Sequence, residues 1–241
     1  MRKTFASCLL VILLCVFGGA AQGAPGEDWP QALSRMPLRT DARELNRTNC
    51  VALLLSAFQS NETVKALIFM PGATDEFYMF RRARAGLTQT RPTLYDAVQA
   101  LTNQTLIRAT FLPPLLLLHT DEDPLEPCIE IQHPATAEKL RNHRLVPHLA
   151  LNDRDWGVVE PLLRKSLKVS VFPWGRSYDS WHFYRHSLAA WNLTGWQTLE
   201  AIALAGKTKC SVQRRRVMFE GDERVRATPK VDPTWIQSGR P

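Results

Sequence analysis

Several groups of residues in this 241-residue chain carry side chains that could do chemistry. Ser177, Asp179, Ser180 and His182 supply the residue types of a hydrolytic triad, but nearness in sequence does not make a nucleophile, a base and an orienting acid converge in space. No G-x-S-x-G elbow, catalytic-cysteine signature or phosphate loop accompanies them. His182 and His186 stand four apart, a spacing that puts two imidazoles on one face of a helix as metal ligands. Trp181, Phe183, Tyr184 and Trp191 make the stretch read as a strand instead, where the rings would lie about 13 Å apart. His119, Asp121, Glu122 and Asp123 read as a solvated loop ahead of Pro124. No metal, no cofactor and no catalytic residue is expected, and the sequence offers no positive sign of an enzyme.

Binding is the chemistry that remains. Arg81, Arg82 and Arg84 form one basic cluster and Arg214, Arg215 and Arg216 a second; both suit anionic partners, and both also suit a solvated strand face and a charged turn. Trp174, Tyr178, Trp181, Phe183, Tyr184, Trp191 and Trp196 crowd residues 174–196, where flat rings can line a sugar or peptide groove. At least half of them are expected in the core. Trp174, beside Gly175, is the ring expected at the surface, with Tyr178 near it.

The elements that must position these residues begin after an address label. Arg2 and Lys3 precede an apolar run from Leu9 to Phe17, then small residues and Gln22, which predicts a signal peptide over 1–23 and a periplasmic or secreted product. Its removal lowers the formal charge from +7 to +5 and takes Cys8 and Cys15 with it, leaving Cys50, Cys128 and Cys210. The order of pairing among these three is open. A surface this mildly basic lacks the concentrated stripe of a nucleic-acid binder, so no nucleic acid is expected. No later run is long enough to span a bilayer. Asn46, Asn61, Asn103 and Asn192 head N-x-T acceptors, which matter only in a eukaryotic source.

The mature chain carries a pattern that recurs after 101 residues. Thr93 opens a helix with Leu94, Ala97, Val98 and Leu101 on one face, followed by a strand ending at Phe111, a Pro113-Pro114 turn and a strand over Leu115 to Leu118. Thr194 opens a helix with Trp196, Leu199, Ile202 and Ala203, closed by Gly206 as a C-cap, then strands over Cys210 to Val212 and Val217 to Phe219 about an Arg214 to Arg216 turn. Upstream, Cys50 to Phe58 and Trp156 to Leu167 read as helices, the second kinked or begun by Pro161. Ala66 to Met70 and Val169 to Phe172 then read as strands, and Phe77 to Leu87 and Trp181 to Leu193 as extended. The order in each half is an extended lead-in, helix, strand, strand, helix, strand, strand. An α+β chain of two tandem βαββαβ-type units with small mixed sheets is predicted, over 37–121 and 128–222, with a linker from Glu122 to Pro134 and a flexible tail over 223–241.

The stretches Thr93-Leu-Tyr-Asp-Ala-Val-Gln-Ala-Leu-Thr and Thr194-Gly-Trp-Gln-Thr-Leu-Glu-Ala-Ile-Ala resemble the late helix of the short N-terminal domain of secretins and TonB-dependent receptors. In that family the helix precedes a hairpin of short strands, as it does here in both halves. The resemblance implies non-catalytic periplasmic modules that dock other envelope proteins, here without the family's barrel or pore. The expected partner is an envelope protein, held by an extended strand added to a sheet edge. The alternative is a secreted glycan- or peptide-binding protein, or a hydrolase, working through residues 174–196.

Overall fold

Two threonines start two helices in the same way. Thr93 Oγ1 accepts from the Asp96 N–H at 3.2 Å while the Thr93 N–H donates to Asp96 Oδ2 at 2.7 Å. Thr194 Oγ1 accepts from the Gln197 N–H at 3.1 Å and the Thr194 N–H donates to Gln197 Oε1 at 3.0 Å. Each is a capping box, satisfying two backbone N–H groups that a helix start would otherwise leave bare. In the computed structural model, which describes residues 28–46, 48–70, 84–120, 126–142, 145–174 and 185–221, these helices sit at matching places in an α+β fold.

The first half runs α1 (Trp29–Ser34), β1 (Glu44–Leu45), α2 (Cys50–Ala57), β2 (Ala66–Phe69), β3 (Ala85–Gly86), α3 (Leu94–Gln104), β4 (Arg108–Leu112) and β5 (Leu115–His119). After β6 (Ile129–Ile131) the second runs α4 (Pro134–Asn142), β7 (Leu145–Arg154), α5 (Trp156–Leu167), β8 (Ser170–Trp174), β9 (His186–Thr194), α6 (Gly195–Gly206), β10 (Thr208–Val212) and β11 (Arg216–Gly221). The pairings follow the same plan. β1 pairs antiparallel with β3 and β7 with β9; β4 with β5 and β10 with β11; β2 lies parallel to β5, and β8 to β11.

The two expected units, 37–121 and 128–222, contribute strands to one shared sheet. β2 pairs antiparallel with β9, Ala66 opposite Ala190 and Phe69 opposite Ser187, so one five-stranded sheet runs β4-β5-β2-β9-β7 across both halves. The cause is β2 itself: all four residues are buried, so it needs neighbours on both edges and cover on both faces. Leu67, Phe69, Leu116, Leu118 and Ala189 face α1, α2 and α3. Ala66, Ile68, Leu115, Leu117, Leu188 and Ala190 face the other way, into a core shared with α4, α5, α6 and the second sheet, β6-β10-β11-β8.

Helix α6 lies inside that core. Nine of its twelve residues are buried, which is why its sequence is apolar nearly all round rather than along one stripe. Gly206 is its last residue and not its cap: the left-handed position falls on Lys207, at φ 46°. Pro161 sits inside α5 and does not begin it. The expected linker holds structure, since β6 pairs parallel with β10 and α4 starts at Pro134. The described parts of the extended stretches hold β3 and β9, and residues 77–83 and 181–184 lie outside the described residues. The expected leader over 1–23 and tail over 223–241 lie outside them as well.

Candidate functional site

A cleft of about 410 Å³ opens between α2 and strands β9 and β7 of the five-stranded sheet. Its existence follows from lengths. Strand β7 has ten residues and spans about 33 Å. Helix α2 has eight and spans about 12 Å, ending where Phe58 turns extended at ψ 129°. The face of β7 that carries His148, Ala150 and Asn152 is therefore left exposed, while Val146, Leu149 and Leu151 are buried on the other face.

Aromatic rings line one end of the cleft. The Trp191 ring lies 4.5 Å from His148 and 5.5 Å from Phe58, centroid to centroid, so the indole is held between two neighbours. Ala52, Leu55 and Ser56 of α2 form the wall, and Asn152 and Arg154 bring hydrogen-bonding groups to the rim. This is an apolar trough with a polar end. Among the described residues no group of three or more His, Cys, Asp or Glu side chains could hold a metal ion.

The far end of β7 is tied down by charge. Arg185 Nε donates to Asp153 Oδ1 at 3.0 Å and its Nη2 to Asp153 Oδ2 at 3.3 Å, with Asp155 Oδ2 3.5 Å from Nη1. The Asp153 hydrogen bond raises the Arg185 pKa above its ordinary value. Asp153 takes a left-handed φ of 53° in the bulge between Leu151 and Arg154, its N–H donating to Ser187 Oγ at 2.8 Å. Beside it His186 is fully buried. Its Nδ1 bonds the Arg154 carbonyl at 3.2 Å, Trp156 meets the ring edge-on at 4.8 Å, and burial lowers its pKa to about 4. Neither arrangement presents a nucleophile.

Among the described residues, those singled out from sequence do not converge. Arg214, Arg215 and Arg216 are exposed at the β10–β11 hairpin, where the Arg214 carbonyl accepts from Thr136 Oγ1 at 2.9 Å and the Arg216 side chain bonds Gln213. Arg216 is opposite Ser170 and Trp174 opposite Glu220, so the basic turn and Trp174 lie at opposite ends of β8, about 13 Å apart along the strand. Arg84 is exposed just before β3, in the other half. Arg81, Arg82, Tyr178, Ser177, Asp179, Ser180 and His182 lie outside the described residues, as does the Trp174 side chain. His119 is buried at the end of β5 against Thr110 Oγ1 at 2.9 Å, not in a solvated loop, and His186 is buried in the core.

Of the aromatic stretch, Trp191 reaches the cleft. Trp196 is half-buried, donating to Glu200 Oε1 at 2.7 Å beneath the Arg141 guanidinium at 4.2 Å. Sequence reasoning passed over His148, Asn152 and Arg154, because Pro147 and the Asn-Asp-Arg-Asp run hide a strand behind turn-forming residues. Comparison with family models, with curated proteins and with solved structures finds no match to this chain.

Proposed function

We propose that this chain is an exported, non-catalytic interaction module of the cell envelope, of the kind its resemblance to the N-terminal domains of secretins and TonB-dependent receptors implies. Its partner is an envelope protein, bound through a short extended segment added to the outer edge of β7. The observation that carries this reading is the joint exposure of one edge and one face of β7: no described strand pairs with its outer edge, and His148, Ala150 and Asn152 lie open along the cleft. Pro147, which has no N–H to donate, and the Asp153 bulge bracket the segment His148–Leu151, so the open ladder is four residues long. An added strand would gain main-chain hydrogen bonds there and drop alternate side chains into the trough beside Trp191.

A photo-crosslinking side chain at Ala150 of the full chain is expected to trap one envelope protein. The same side chain at Val158, which is 43% exposed on α5, traps none. Equal yield at both positions, or none at Ala150, would count against strand addition at β7.

The stack of Phe58, Trp191 and His148 favours a second reading, a secreted glycan- or peptide-binding protein using a ring from residues 174–196. A glycan array separates the two. Binding that is reproducible and lost in Trp191→Ala supports the second reading and removes the need for a protein partner.

A further inference from the structure

Which main-chain groups of β7 point out of the sheet follows from the bonds of its neighbours. The Trp191 N–H donates to the Lys65 carbonyl at 3.0 Å, so Trp191 turns its main-chain groups toward β2. On the other side of β2 the Met70 N–H donates to the Leu118 carbonyl at 2.9 Å, which sets the same alternation: Ala66 and Ile68 face β5, and Lys65 and Leu67 face β9. His148 is opposite Trp191, so that pair exchanges no ladder bond and the His148 N–H and C=O point away from β9. Leu149 and Leu151 face inward to Ala190 and Leu188, and Ala150 faces outward like His148.

The His148 and Ala150 side chains lie on the cleft face, and residues directly opposite them in an added antiparallel strand lie on that face too. Such a strand begins at the Asn152 end of the cleft. There Arg154 is the one lining residue with a full formal charge. It is exposed and meets no acidic side chain among the described residues, since Asp153 and Asp155 are held by Arg185.

We propose that the segment added to β7 is an antiparallel strand with apolar side chains opposite Ala150 and His148 and a carboxylate opposite Asn152, bound by Arg154. This rests on the reading of β7 as the acceptor of an added strand and specifies what that strand carries. The apolar pair fills the trough beside Trp191. The carboxylate sets the register, because a strand of alternating residues that slips by two presents the same main-chain groups to the same edge. It also sets the direction, because a strand laid the other way carries its leading acid to the His148 end.

The test measures binding of the full chain to two hexapeptides with blocked ends, Glu-Thr-Val-Thr-Val-Thr and Lys-Thr-Val-Thr-Val-Thr, by fluorescence polarisation of a label at the C-terminus. The glutamate peptide is expected to bind about fivefold tighter at low salt, the gain of one exposed ion pair. That preference shrinks in 1 M salt and disappears in Arg154→Gln, which keeps the Arg154 carbonyl that His186 bonds. N-methylation of both valines abolishes binding, whereas N-methylation of the threonine between them leaves it intact, because the valine N–H groups are the ones that face β7. If neither peptide binds, strand addition at β7 fails and this inference with it. Equal binding of the two peptides, or a preference that persists in Arg154→Gln, overturns the pairing with Arg154 and leaves strand addition standing. Loss of binding on methylating the middle threonine overturns the register.

Discussion

The His186 imidazole is seated against the bare Cα of Gly206, its Nε2 pointing at the place where any other residue would carry a methyl group. Nδ1 bonds the Arg154 carbonyl, so it carries the ring proton and Nε2 keeps a lone pair with no hydrogen-bond partner. Helix propensity alone argues that Gly206→Ala should stabilise α6 by about 1 kcal/mol. The contact argues the reverse, because the ring is pinned by Trp156 and cannot retreat. Overpacking of this kind costs about 1–3 kcal/mol, so a net loss is expected. Urea unfolding decides it; a midpoint above that of the parent would show that the ring yields.

Acid should weaken the fold through the same imidazole. Folded His186 takes up a proton only near pH 4, because burial opposes its charge, whereas the unfolded side chain does so near 6.5. Between those values the unfolded state binds more protons. The stabilisation from keeping His186 neutral is thus whole above about pH 6.5 and is lost progressively down to about pH 4, amounting to about 3 kcal/mol over the interval. Urea midpoints at pH 7 and pH 5 should differ in the parent and converge in His186→Gln; an unchanged slope in the variant would assign the acid sensitivity elsewhere.

The paired capping boxes give a matched measurement. Thr93→Ala and Thr194→Ala each remove one acceptor from a helix start and should cost about 1 kcal/mol apiece. Thr93 loses a second bond, since its hydroxyl also donates to Asp96 Oδ2 at 2.8 Å. The Thr93 variant is therefore expected to unfold at the lower urea concentration of the two if α3 and α6 unfold together, and equal midpoints would show that the hydroxyl bond to Asp96 contributes nothing.

The Arg185–Asp153 pair is about one-third exposed on each side, which places it among ion pairs worth about 0.5–1 kcal/mol. Arg185→Gln should lower stability by that amount at low salt, with the difference shrinking in 1 M salt as screening sets in. A larger, salt-independent loss would mean that the Asp153 bulge depends on the guanidinium for its geometry rather than for its charge.

The parts legible in the sequence are those whose signals are local. Thr93 and Thr194 sit three residues before a side chain that can reach back, Leu94 to Leu101 repeat at helical spacing, and the two late hairpins turn at Pro113-Pro114 and Arg214-Arg215. The α+β class followed from these. Long-range pairing did not: nothing in Ala66 to Phe69 names Ser187 to Ala190 as its neighbour, and an apolar run is silent about which strand lies beside it. The cleft was illegible for a related reason. It arises because α2 stops short of β7, and β7 itself is disguised by Pro147 and Asn152 to Asp155. The basic clusters attracted attention by charge, which identifies solvent-facing positions better than it identifies partners.

The bond between β2 and β9 has a consequence for how the molecule is made. A ribosome delivers residues 66–69 long before 187–190, so the growing chain must hold a wholly apolar strand with one edge and one face uncovered until its late neighbour emerges. Loop closure on that scale is slow relative to the nearby hairpins. Newly synthesised copies are thus most vulnerable to clumping in the interval between the two halves.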